Sequence, residues 1–122
     1  MENNLNPKQG DIFWLKPPSP RESKADYSHP CVIIQDDIIN CSRIETVVVC
    51  ALTSNKNRGN EPGNILLDAD EGNLPLQSVV IVSQIETVNK KDLGKLIGSL
   101  SQKRVQQILS GMRFQQRTFF ER

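Results

Sequence analysis

The sequence predicts a mainly β domain with one helix: a small, strongly curved sheet or open barrel whose mouth is sealed by a C-terminal helix. Three observations point there. Five short apolar runs bounded by turn formers lie between Gly10 and Ile85, and the last third of the chain changes to a helical period. The length of 122 residues suits one core, since chains of roughly 100 to 200 residues usually form a single domain. With 37% hydrophobic residues and 15 Lys plus Arg against 14 Asp plus Glu, a histone-like polycation and an acidic disordered chain are both excluded.

Residues 1–9 are polar and read as a short disordered lead, with a single domain over 10–122. Gly10 to Leu15 is the first strand, stopped by Pro17, Pro18 and Pro20, which supply no ladder donor. Ser19 to Ser28 is polar and charged, a long connecting loop of the kind that tends to carry function. His29-Pro30 opens the second strand. Cys31-Val32-Ile33-Ile34 and Val47-Val48-Val49-Cys50-Ala51-Leu52 are continuous rather than alternating, as strands covered on both faces are. These two form the centre of the core. Gln35 to Arg43 between them is a polar connection, and Thr53 to Asn60 a loop rich in turn formers. Asn64 to Asp68 is a short strand and Ser78 to Ile85 a long one.

Ser101 has the chemistry of a helix N-cap, and Val105, Ile108, Leu109 and Met112 repeat at the spacing of one helical face. Gly111 within this pattern costs about 1 kcal/mol relative to alanine, so the helix is expected to fray or end nearby. Leu93, Leu96 and Ile97 suggest a shorter helical turn before it. Residues 90–122 carry eight basic side chains against Asp92 and Glu121. They are spread around the helix, so a solvated face explains them better than a nucleic-acid stripe.

No apolar run approaches the roughly 18 residues that cross a bilayer, and the N-terminus lacks a charged stub followed by a hydrophobic segment. The expectation is a protein neither spanning a membrane nor secreted. Three cysteines without a CxxC pair, beside a single histidine, indicate neither a disulfide framework nor a zinc site. Cys31 and Cys50 read as small buried thiols, and a reducing cytoplasm is the natural compartment. Phosphate-loop, dinucleotide, HExxH and GxSxG motifs are all missing, so no metal or cofactor is expected.

What remains is polar chemistry where core strands end. His29 precedes one core strand, and Thr53 with Ser54 follows another. If those strands are antiparallel neighbours, the start of one lies beside the end of the other, and His29 and Thr53 meet.

Gly10-Asp11-Ile12-Phe13-Trp14, a polar loop, a residue before Pro30 followed by Cys31 to Asp37, then Ala51-Leu52-Thr53-Ser54, Gln77 to Lys90, Leu93 and Ile97 to Leu100 follow in an order and spacing that resembles the MazF/PemK (Kid) toxins of type II toxin–antitoxin systems. The resemblance runs from about Gly10 to about Met112. It implies an SH3-like small barrel with a C-terminal helix, a homodimer that cuts single-stranded RNA without metal, and an acidic, MazE-like antitoxin that occupies the RNA groove. Such cleavage uses the neighbouring 2′-hydroxyl as nucleophile, so the protein supplies a base, an acid for the departing 5′-oxygen and positive charge for the phosphate. DNA lacks that hydroxyl.

The resemblance implies catalytic roles for the residue before Pro30 and for Thr53. The family typically has an arginine before this proline; here it is His29. Imidazoles carry protons between about pH 5 and 8, so His29 can act as acid or base, bind RNA only, or merely cap a strand edge. A threonine ending a strand is also simply a good β residue. Ser54, Ser78 and Gln84 match positions that line the family's RNA path. Lys56 and Arg58 after Thr53, with Lys16, Arg21, Ser23 and Lys24 after the first strand, can flank the groove and hold phosphates, or be ordinary solvated loops. Glu86 stands where the family often has arginine. The competing readings are a catalytically inactive homologue and a CcdB-like toxin acting by protein binding. Members of that last kind end in Trp-Gly-Ile, whereas this chain ends Phe119-Phe120-Glu121-Arg122.

Overall fold

The computed structural model describes residues 6–16 and 29–120, the last four of these as backbone only. Six strands form one antiparallel sheet: β1 (Asp11–Leu15), β2 (His29–Ile33), β3 (Thr46–Thr53), β4 (Ile65–Leu66), β5 (Val79–Asn89) and β6 (Leu93–Ser99), in the spatial order β4-β5-β3-β2-β1-β6. A one-turn helix α1 (Asp37–Asn40) lies between β2 and β3, and α2 (Gln102–Phe120) ends the described chain. The five expected strands are all present, and the two continuous apolar runs, β2 and β3, are neighbours in the middle of the sheet. Their side chains fill both faces. Val32, Ile34, Cys50 and Leu52 join Ile12, Leu67, Leu74, Val80, Val82, Leu100 and Ile108 in one cluster, while Cys31, Ile33, Val47 and Val49 form a smaller one on the other face.

Three expectations are corrected. Leu93–Ser99 is a strand paired with β1, not a helical turn. Its register slips by one residue between Ile12 and Phe13 and again between Phe13 and Leu15. Each slip is a bulge that adds a residue to β6. The two bulges stretch the strand's period of two to the three- and four-residue spacing of Leu93, Leu96 and Ile97, which mimics a helix. Glycine is required there: a Cβ on Gly98 would strike the Gly72 carbonyl, and one on Gly94 would lie 2.9 Å from the Trp14 carbonyl oxygen.

Gly111 does not end the helix, which continues to Phe120. It is buried, and a Cβ added to it would strike the carbonyl oxygen of Gly63. The glycine lets helix and loop backbones touch, an advantage of packing that outweighs its poor helix propensity. The third correction is small: the polar connection after β2 contains α1, capped by the Asp36 carboxylate accepting from the Ile38 N–H at 2.8 Å.

Helix α2 starts as its sequence predicts. The Ser101 hydroxyl accepts from the Arg104 N–H at 3.2 Å, and Val105 and Ile108 are buried. Arg104 fixes the helix to the turn at Glu71–Asn73 through Glu71, with Nε donating to Oε2 at 2.8 Å and Nη2 to Oε1 at 3.1 Å. Residue Gln9, in the expected lead, donates from its backbone N–H to Asp37 Oδ1 at 2.7 Å and from its side chain to the Ile34 carbonyl at 2.8 Å. The loop of residues 19–28, with Arg21, Ser23 and Lys24, lies outside the described residues, as do the side chains of Arg117, Phe119 and Phe120. No helix among the described residues is long and apolar enough to cross a membrane.

Candidate active site

Strands β2 and β3 pair antiparallel with Cys31 opposite Ala51, Val32 opposite Cys50 and Ile33 opposite Val49. Continued by two residues, that register sets His29, the first residue of β2, across from Thr53, the last of β3. Both line one cleft of about 350 Å³, together with Leu15, Pro30, Cys31, Val49, Ala51, Leu52, Arg58, Gln84 and Glu86. The meeting expected from the sequence is therefore present, because the two most apolar strands are also nearest neighbours.

The Thr53 hydroxyl oxygen accepts from the Asn55 N–H at 3.2 Å. That bond occupies a lone pair and leaves the hydroxyl proton free to be donated. The next turn, Lys56–Asn60, begins with the Asn55 side chain accepting from the Asn57 N–H and brings Arg58 to the cleft. Arg58 Nε donates to Glu61 Oε2 at 2.8 Å, and this bond holds the exposed Glu61 carboxyl below its usual range. The remaining guanidinium donors of an arginine held this way can serve a phosphate.

Gln84 reaches the cleft through an irregularity in β5. Between Cys50 opposite Ile85 and Ala51 opposite Ile81, the pairing leaves Val82, Ser83 and Gln84 unmatched. Two side chains support this bulge. Asn64 Oδ1 accepts from the Val82 N–H at 3.0 Å, and the Cys50 thiol donates to the Ile81 carbonyl at 2.9 Å. The Asn64 amide also donates to the Arg58 carbonyl and to Glu61 Oε1, each at 3.0 Å. One half-buried amide thus ties the Arg58 turn to the strand that carries Gln84. The sequence offers no signal for this link, since its partners are 6 and 18 positions apart.

The other sequence candidates stand apart. Ser78 is only 4% exposed, its hydroxyl donates to the Leu76 carbonyl at 2.8 Å, and it is not among the residues that line the cleft. Lys16 Nζ donates to the Lys91 carbonyl at 3.0 Å, next to the turn that joins β5 and β6. Ser54 and Lys56 are exposed beside the cleft's rim without lining it. Cys31 and Cys50 are buried, as expected, and burial pushes each thiol up to about 12, with the Glu86 charge adding to the effect at Cys31. Neither is a thiolate nucleophile at neutral pH. Among the described residues no group of three or more His, Cys, Asp or Glu side chains could hold a metal ion.

The cleft has the makings of a phosphate-handling site: an imidazole, a hydroxyl and a guanidinium line it together with an apolar floor. The chain also resembles proteins of known name. The Mycobacterium tuberculosis protein named endoribonuclease MazF6 is 34% identical over 105 residues, which cover 86% of this chain and 92% of that one. Endoribonuclease MazF of Staphylococcus saprophyticus is 28% identical over 83% of each chain. The fold matches a mycobacterial endoribonuclease solved with its cognate antitoxin, at a TM-score of 0.70 and 20% identity over 88% of this chain and 92% of that one. It also matches a chain of the MazE–MazF crystal structure from Deinococcus radiodurans, at a TM-score of 0.68 and 14% identity over 89% of this chain and 93% of that one. The model for PemK-like, MazF-like toxins of type II toxin–antitoxin systems matches residues 8–115, a span that holds the sheet, the cleft and most of α2, and the chain belongs to that family.

Proposed function

We propose that this protein is the toxin of a type II toxin–antitoxin pair, an endoribonuclease that cleaves single-stranded RNA at the cleft where His29 and Thr53 face each other. The juxtaposition of those two side chains at the joined ends of β2 and β3 is the observation that carries the reading.

In this mechanism the 2′-hydroxyl of one nucleotide attacks the adjacent phosphorus as its proton is removed. The bond to the 5′-oxygen breaks, that oxygen gains a proton, and a 2′,3′-cyclic phosphate and a 5′-hydroxyl result. His29 moves a proton in this exchange. Thr53 donates its hydroxyl proton to a non-bridging oxygen, where charge accumulates, and Arg58 offsets the phosphate charge. Gln84 contacts the nucleotide beside the scissile bond. The working form is a cytoplasmic homodimer, and an acidic segment of the antitoxin competes for the same cleft, since a surface shaped for a polyanion accepts a carboxylate-rich chain.

Purified protein incubated with a long single-stranded RNA in EDTA tests the reading. Cleavage is expected to persist, and sequencing of the ends should find 5′-hydroxyls paired with cyclic phosphates. Activity lost in EDTA and restored by magnesium, or no cleavage at all, would contradict it.

A further inference from the structure

Glu86 is out of place in a cleft that receives a polyanion. It follows the β5 bulge, pairs across the sheet with Val49 and lines the same cleft as His29, Thr53, Arg58 and Gln84. Cys31 on β2, two strands away, lines the same cleft, and the Glu86 charge adds to the rise of its buried thiol. A phosphate would be repelled there. A group bearing N–H donors would be held.

We propose that Glu86 is the specificity-determining residue for the base next to the scissile phosphate, selecting one that carries an exocyclic amine and rejecting uracil. The inference rests on the endoribonuclease reading above.

Position supports it first. Glu86 is opposite Val49, and Thr53 lies four residues farther along β3, so the carboxylate's backbone is roughly 13 Å from that of the threonine at about 3.3 Å per residue. That separation takes Glu86 out of hydrogen-bond reach of a phosphate held at Thr53. It leaves Glu86 beside the floor on which a neighbouring base would rest. The floor itself, from Cys31, Val49 and Ala51, is apolar and uncharged, a surface that accepts the flat face of any base without choosing among them.

Choice then falls to the edge. A carboxylate is an acceptor only. Cytosine and adenine each offer it an amino group, and guanine offers an amino group and a ring N–H side by side, matching both carboxylate oxygens. Uracil presents a lone ring N–H flanked by two carbonyl oxygens, which the carboxylate repels. Gln84, on the same strand, both donates and accepts, so it contributes contact without this discrimination.

The test uses the full chain and its Glu86→Gln variant on a single-stranded RNA library of random sequence, with the cleaved ends sequenced. The same proteins are also titrated with short 2′-O-methyl oligonucleotides, which cannot be cut, differing at one base. The parent should favour amino-bearing bases over uracil at one position beside the cut by about tenfold, the lower part of the range for a base-edge contact, with guanine strongest. Glu86→Gln should narrow that ratio to about twofold, because the amide also donates to uracil. Glu86 is exposed, so the variant should keep the parent's melting temperature. Cleavage by both proteins with the same base preference would overturn the proposal and leave the endoribonuclease reading standing. Base-selective binding that depends on Glu86 without cleavage would do the reverse. Neither cleavage nor base-dependent binding would remove both.

Discussion

The two faces of the central strands are made from alternate residues of the same segments, yet they end as different things. On one face Val32, Ile34, Cys50 and Leu52 are covered by α2 and the turns around Leu67 and Leu74, and the cluster reaches Ile108 on the helix. On the other, Cys31, Ile33, Val47 and Val49 make a smaller cluster, and beyond it the sheet opens into the cleft. A strand that is apolar on both faces needs two covers. Here one cover is a helix, and the other is left partly open, with His29, Thr53, Arg58, Gln84 and Glu86 around the gap. The larger buried cluster lies on the helix face, and the proposed reaction belongs to the open one.

That division can be broken most severely from the helix side. Gly111→Val drives a branched side chain into the Gly63 backbone, whose carbonyl cannot yield as a flexible side chain would. A loss of about 3 kcal/mol is expected, the upper part of the usual overpacking range. Urea unfolding would report it as a lower midpoint with unchanged slope. A loss below about 1 kcal/mol would mean that α2 is not seated tightly on this face.

A gentler probe of the same face is acid. The Glu71 carboxyl is held below its usual range, chiefly by its hydrogen bond to Arg104 and further by the Asp68 N–H. A carboxyl depressed in the folded state adds stability above its unfolded value near 4.5, and that contribution disappears as the pH falls through the lower folded value. The pair is partly exposed, at 20% and 21% of side-chain area, so its contribution is about 0.5 kcal/mol after screening. Arg104→Met should therefore lose more stability at pH 7 than at pH 3. Equal losses at both would mean that the arginine acts by packing alone.

The contrast between the faces also explains what the sequence disclosed. Runs such as Val47 to Leu52 declare buried strands by composition, and Val105 with Ile108 declares a helical face by period. Because β2 and β3 are sequential core strands, the approach of His29 to Thr53 followed from treating them as antiparallel neighbours. Features made by irregular pairing were hidden. The bulges in β6 gave Leu93, Leu96 and Ile97 a helical spacing, and the bulge in β5 that turns Gln84 into the cleft depends on Asn64 and Cys50, whose contacts cross 18 and 31 positions. Nor does a strand-opening serine such as Ser78 give any sign in the sequence of which way its hydroxyl turns, here to the Leu76 carbonyl. Gly111 looked like a break because sequence does not reveal a second glycine waiting opposite.

The open face carries the central claim, and His29 tests it most directly. The side chain is exposed, so His29→Ala should leave the melting temperature where it is while the single-turnover rate of RNA cleavage falls on the order of 10²-fold or more, as for loss of a positioned acid or base. A His29→Ala protein that folds like the parent and cleaves as fast would contradict the account and place the catalytic group elsewhere.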